Sequence, residues 1–166
     1  MCIRDRVESM NKTTKRIIVT GLFGGFLGGA VKMGWESLVP PRTPERDEEP
    51  PPLTMLKKFG VPEDIQNLTV TYNNNEIPVT TMGVHYGFSI ANAFAYALLA
   101  EKSSEVTKLR GSLFGIAIHV IFHEFVLPKL KLTPPVEQMP PEERLSELLG
   151  HVLWMNAIDY VHDANK

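Results

Sequence analysis

The chain carries one cysteine, Cys2, in 166 residues. That excludes an internal disulfide framework and any cysteine-based zinc site. It also has no excess of basic charge. Its 17 lysines and arginines stand against 19 acidic residues, for a formal charge of −2, which excludes a generally basic nucleic-acid binder. There is no phosphate-binding glycine loop, because the glycines after Ile17 lack the following Lys-Ser/Thr. His123-Glu124 lacks the second histidine of an HExxH protease helix, and His119 and His123 form only one HxxxH pair of the kind found in membrane hydroxylases. No complete catalytic motif remains, so the sequence favours a non-enzymatic protein with no cofactor.

What is present comes in apolar blocks. The mean hydropathy of −0.07 hides them, because a proline-rich acidic stretch lies between the first block and the rest. Ile17–Val31 is fifteen residues without a charge and continues through Lys32 and Glu36 to Val39. Thr80–Ala100 has His85 as its only ionisable group apart from Tyr86 and Tyr96, and Gly111–Leu127 and Leu145–Val161 come next at seventeen residues each. About twenty helical residues match a hydrocarbon core about 30 Å thick. The segments therefore predict an all-α, polytopic membrane protein with about four transmembrane helices, at 17–39, 80–100, 111–127 and 145–161.

The third segment decides how far that reading can lean on single helices. Its ten Leu, Ile, Val and Phe residues contribute about −3 to −6 kcal/mol of insertion energy, against roughly +3 for a charged Glu124 at the centre. It needs partner helices. Glycine spacing supplies a means, since Gly21, Gly25 and Gly29 repeat at four, with Gly24 and Gly28 beside them. In lipid such a row lets two backbones approach closely. Gly83, Gly87, Ala91 and Ala95 repeat the pattern, and Gly111 and Gly115 begin it again. Close contact at Gly21, Gly25 and Gly29 is expected within the bundle or between copies, and four short helices make a homo-oligomer an expectation. The competing readings are a soluble bundle with these segments as core and a cleaved signal peptide at the N-terminus.

Basic residues set the orientation. Lys12, Lys15 and Arg16 precede the first helix, and Lys102, Lys108 and Arg110 lie between the second and third. The 40–79 connection carries Glu45, Asp47, Glu48 and Glu49. Positive-inside bias then puts residues 1–16 and the C-terminus in the cytoplasm, with 17–166 as one membrane domain and 40–79 as a long periplasmic loop. Residues 1–9 differ in character from the rest of the chain, and Met10 is a candidate natural start. The loop opens extended around its prolines, with a short helix near Leu53–Phe59 and a strand at Leu68–Tyr72 before the Asn73-Asn74-Asn75 turn.

Three islands carry a family likeness: Lys32-Met-Gly-Trp-Glu36 with Pro40-Pro41-Arg42-Thr43-Pro44, Leu132-Thr133-Pro134-Pro135-Val136, and Ser146-Glu147-Leu-Leu-Gly150-His151-Val-Leu-Trp154. In order and spacing they resemble the YagU-like family of small bacterial inner-membrane proteins, from about Lys15 to the C-terminus. The resemblance implies an integral inner-membrane protein and brings no catalytic residues with it.

Ionisable groups inside membrane segments are functional candidates. With the orientation above, Lys32, Glu36, His85, His119, His123, Glu124, Glu147 and His151 converge on the outer half of the bundle. His119/His123, Glu147/His151 and Lys32/Glu36 each share a helix face at i, i+4. The cluster is expected to sense pH, since imidazole titrates near 6.5, or to pass protons or a small solute. Zinc or iron at His119, His123, Glu147 and His151 is the alternative, as a metal-dependent membrane enzyme; a structural membrane-assembly role is the third reading. The bland roles are interfacial anchoring for Lys32 and Glu36, helix–helix hydrogen bonds for the histidines, and a helix-dipole contact for Glu147. Trp35, Trp154 and Tyr160 read as interfacial belt residues.

Overall fold

A computed structural model of the chain describes residues 3–43 and 49–166, with the backbone alone for 3–10. Cys2, Glu45, Asp47 and Glu48 lie outside the described residues. The chain is mostly helical. Helix α1, residues 3–38, is continuous through Ile3–Val19, a π-helical stretch Thr20–Gly24, and Gly25–Leu38. The segment before Ile17, expected to precede the helix, is thus its first turns. Short helices α2 (Pro51–Lys58) and α3 (Glu63–Gln66) come next. A hairpin then pairs β1 (Thr69–Tyr72) with β2 (Asn75–Pro78). Asn73 and Asn74 link the strands with φ of 49° and 59°, a two-residue turn whose left-handed backbone asparagine tolerates. Helix α4 is Val79–Ala100, α5 is Ser112–Lys129 with a π-helical stretch at Val120–Val126, and α6 is Pro141–Asp163.

The helices end for visible reasons. Pro141 sits in the first turn of α6, where its missing N–H costs nothing, and Glu142 and Glu143 meet the positive end of the helix dipole. At the end of α5 the Leu132 amide donates to the Leu127 carbonyl and the Lys131 amide to Pro128, with Lys131 left-handed at φ 53°. This is a Schellman stop carried by a non-glycine residue.

The four long helices run alternately up and down. α1 packs along both α4 and α6, and α5 packs on α6. Glycines set the two α1 contacts. A Cβ at Gly21 or Gly29 would strike the ring of Phe94 or Tyr86, and one at Gly25 would lie 2.6 Å from the Ile90 backbone, all on α4. A Cβ at Gly28 would lie 2.7 Å from Ile158 on α6. The first glycine row is therefore used inside the bundle. Gly83 and Gly87 differ from expectation: nothing lies within 4 Å of a Cβ at either, because α4 turns its other face to α1.

The core is small: Ala93, Tyr96, Ile118, Trp154, Met155 and Ile158. Trp154 is 1% exposed, and its indole donates to Ser89 Oγ at 2.7 Å while Ser89 Oγ donates to the Gly25 carbonyl at 2.6 Å. It is a core residue and not part of an interfacial belt. Large apolar side chains face outward instead, among them Phe23 and Phe26 on α1 and Phe125 on α5, each at least 60% exposed. Asn11–Leu38 and Ser112–Lys129 are long and apolar enough to cross a membrane. α4 and α6, at 22 and 23 residues, have the length, about 33–35 Å, with more polar compositions.

Candidate functional site

The end of the bundle where α1 and α5 finish and α4 and α6 begin is tied together by polar contacts. Lys32 on α1 donates to the Glu36 carboxylate one turn on, and to Glu147 Oε2 on α6 at 3.0 Å. Trp35 Nε1 donates to the Ser146 carbonyl at 3.0 Å, and Ser146 Oγ donates to the Val39 carbonyl at 2.7 Å. Beyond them Thr43 donates from its amide (2.6 Å) and hydroxyl (2.9 Å) to Glu143, which is 2% exposed. Arg144 donates to Glu124 at 2.8 Å. Buried polar groups need partners of this kind, and here the partners come from different helices.

Three imidazoles stand beside this network. His119 and His123 come from α5, one turn apart, and His151 from α6. Ring centres lie 5.3 Å apart for His119–His123 and His119–His151, and 4.9 Å for His123–His151. His151 Nδ1 lies 2.8 Å from the Glu147 carbonyl oxygen. A carbonyl only accepts, so this contact places the ring proton on Nδ1 and leaves a lone pair on Nε2. His123 Nε2 is 3.7 Å from Glu147 Oε2 and His119 Nε2 is 3.8 Å from Glu124 Oε1, too long for hydrogen bonds. One ligand atom each from His123, Glu147 and His151 lie within 4.8 Å of one another.

Two cavities meet here. The small one, about 50 Å³, is lined by His119, His123, Glu124, Thr133, Glu143 and Glu147 among others. His119 Nδ1 and Thr133 Oγ1, both without a partner, belong to this lining. The space suits one or two waters that would satisfy both. The large cavity, about 690 Å³, lies between the first half of α4 and the second half of α5. Phe88, Phe122, Met82, Leu127 and Trp154 make its apolar walls, Pro50–Pro52 and Met55 border it, and Lys32, Glu36, Glu147, His123 and His151 form its polar end. His85 borders the cavity but does not join the imidazole group. Its Nε2 lies 3.2 Å from the Gly29 carbonyl on α1.

The opposite end holds residues that the sequence reading did not select as a site. Tyr96 OH donates to Asp159 at 2.5 Å in a buried contact, and Thr20 Oγ1 lies 3.3 Å from His162 Nδ1. Arg16 donates to both oxygens of Glu101. That bidentate contact holds the Glu101 carboxyl below its ordinary 4.5, with attraction to the Arg16 charge adding and burial opposing. A lone Asp159 in an apolar segment was the available signal, since such a group must find a donor. Between the two polar ends lie Ala93, Ile118, Met155 and Ile158.

A family model described as a protein of unknown function (DUF1440) matches residues 26–160, a span that contains every residue of the Lys32–His151 cluster. The inner membrane protein YagU of Escherichia coli (strain K12) is 27% identical to the chain over 166 residues, covering 85% of this chain and 79% of that protein. No solved structure matches.

Proposed function

The chain belongs to the DUF1440 family, and on that premise we propose that it is an inner-membrane four-helix protein that binds a small amphipathic solute from the periplasmic side. The location rests on the relative's name, on the two apolar spans, and on the distribution of side chains. Large apolar residues face outward while Thr20, Ser89, His119, His151, Asp159 and His162 are buried, the arrangement expected when the surrounding solvent is lipid. α1 and α5 run outward and α4 and α6 return, with both termini cytoplasmic. Lys12, Lys15, Arg16, Lys102, Lys108 and Arg110 fall at the cytoplasmic end.

The cavity of about 690 Å³ carries the functional reading. It falls in the range of ligand pockets, about 300–1,000 Å³, and has their composition, mostly apolar with a few converging polar groups. An apolar body would lie along Phe88, Phe122 and Met82, and a polar head would reach Lys32, Glu147 and the imidazoles. Binding is favoured over passage, because the apolar layer of Met155, Ile158 and Ile118 separates this pocket from the polar groups at the cytoplasmic end.

Thiol labelling in intact cells tests the outward opening. In a Cys2→Ser background, Met82→Cys on the cavity wall should react with a membrane-impermeant maleimide added outside. Leu98→Cys, on the opposite half of α4 and 49% exposed in the bundle, should stay unlabelled in lipid. Failure of Met82→Cys to label from outside, while the denatured protein labels fully, would overturn the proposal.

A further inference from the structure

We propose that His123, Glu147 and His151 hold one zinc ion at the polar end of the large cavity. Their ligand atoms already lie within 4.8 Å of one another, and all three side chains border that cavity, so an ion has a route in. Two imidazoles bound tetrahedrally to zinc at about 2.0–2.1 Å place their ring centres about 5.2 Å apart. His123 and His151 are 4.9 Å apart. The ligands sit on packed helices, Glu147 and His151 one turn apart on α6 and His123 on the π-helical stretch of α5. Widened turns of this kind recur at functional sites.

The surrounding groups are those a metal site uses. His151 donates its Nδ1 proton to the Glu147 carbonyl at 2.8 Å, which fixes the ring and frees Nε2 for the ion. Glu147 Oε2 accepts from Lys32 at 3.0 Å and lies 3.7 Å from His123 Nε2 and from His151 Nδ1, so the Glu147 carboxylate faces both imidazoles. His119, 4% exposed with an unpartnered Nδ1, lies 5.3 Å ring to ring from both ligand histidines. It stands in the neighbouring small cavity, where one or two waters fit. Glu36, Glu124, Glu143 and Glu147 line the two cavities with Lys32, Arg42 and Arg144. Two imidazoles and a carboxylate are a zinc donor set, and iron(II), which uses the same donors, is the competing metal.

The proposal goes beyond the solute reading and stands or falls separately from it. The untagged full-length protein, purified in detergent, would be incubated with zinc, passed through a desalting column and analysed for metal. About one zinc per chain is expected, falling below about 0.2 in His123→Gln and in His151→Gln. Because His151 is buried and its variant could misfold, cobalt substitution of the parent protein gives a second readout. Tetrahedral cobalt should show its visible absorption band, and added zinc should abolish it. Chelation should lower the melting temperature of the parent protein, and zinc should restore it. A parent protein that retains no zinc and shows no cobalt band would overturn the site, as would equal zinc retention in both histidine variants. Met82→Cys labelling needs no metal, so either result leaves the solute cavity to its own test.

Discussion

Gly25→Ala is the smallest change that should open the bundle. A Cβ there would lie 2.6 Å from Ile90 Cα, 2.9 Å from Ile90 Cγ1 and 3.1 Å from Ile90 N. The nearest atom is backbone, so no rotamer change can relieve the clash, and α1 and α4 must separate by about 1 Å to reach ordinary contact. That movement also stretches the bond from Ser89 Oγ to the Gly25 carbonyl, 2.6 Å long, and the contact from Trp154 to Ser89 behind it. Overpacking of this kind costs about 1–3 kcal/mol. The gain in helix propensity from Gly to Ala, up to about 1 kcal/mol in water, offsets part of it. The net expectation is about 1–2 kcal/mol of destabilisation. Gly87→Ala makes the comparison, since nothing lies within 4 Å of its added Cβ. It should be neutral, or stabilising by a few tenths of a kcal/mol. Thermal unfolding in detergent, followed by tryptophan fluorescence, measures both. Equal melting temperatures for Gly25→Ala and the parent protein, or a loss at Gly87→Ala as large as at Gly25→Ala, would refute the packing argument.

Tyr96→Phe should destabilise by about 1.5–3 kcal/mol, because Asp159, 7% exposed, loses the hydroxyl that donates to it at 2.5 Å. Tyr160→Phe, at a position 70% exposed, should stay within about 0.5 kcal/mol, and the same unfolding assay separates the two. The Arg16–Glu101 contact predicts a pH dependence. Because the folded carboxyl titrates below its ordinary 4.5, its contribution is fully present above that value. It fades as pH falls through 4.5 toward the lower folded value, where Glu101 takes up its proton. Glu101→Gln should flatten the stability profile in this acid window and leave its shape unchanged above pH 6; parallel profiles for the two proteins would show that the contact does not stabilise the fold.

Much of the fold was legible because its signals are local. Glycines at 21, 25 and 29 repeat with the period of one helix face, and that face does meet another helix. The i, i+4 pairs Lys32/Glu36, His119/His123 and Glu147/His151 follow from helical geometry alone. What joins them does not. Lys32 meets Glu147 across 115 residues, and Arg144 meets Glu124 from the start of α6 to the second half of α5. Such pairings depend on how α1 and α5 rotate against α6, which composition leaves open. Trp154 misled for a related reason. An indole near a segment's middle can sit at an interface or inside, and only Ser89, on another helix, gives its N–H a buried partner. His85 shares the cavity with the cluster but was drawn to the Gly29 carbonyl, which no spacing rule anticipates. The bare backbone of Gly83 and Gly87 shows the converse, a packing motif with no partner in the bundle.

In the proposed topology the bundle crosses the membrane four times, with the Lys32–Glu147–histidine cluster at its periplasmic end. A pair of topology reporters tests it most directly. One is inserted at Asn74, in the tight turn between β1 and β2 at the cluster end; the other is fused after Lys166, at the opposite end of α6. Exposed turn tips and termini tolerate such additions. The Asn74 insertion should be active only with a periplasm-requiring reporter, and the Lys166 fusion only with a cytoplasm-requiring one. Both reporters active on the same side of the membrane, or the protein recovered in the soluble fraction, would contradict that topology.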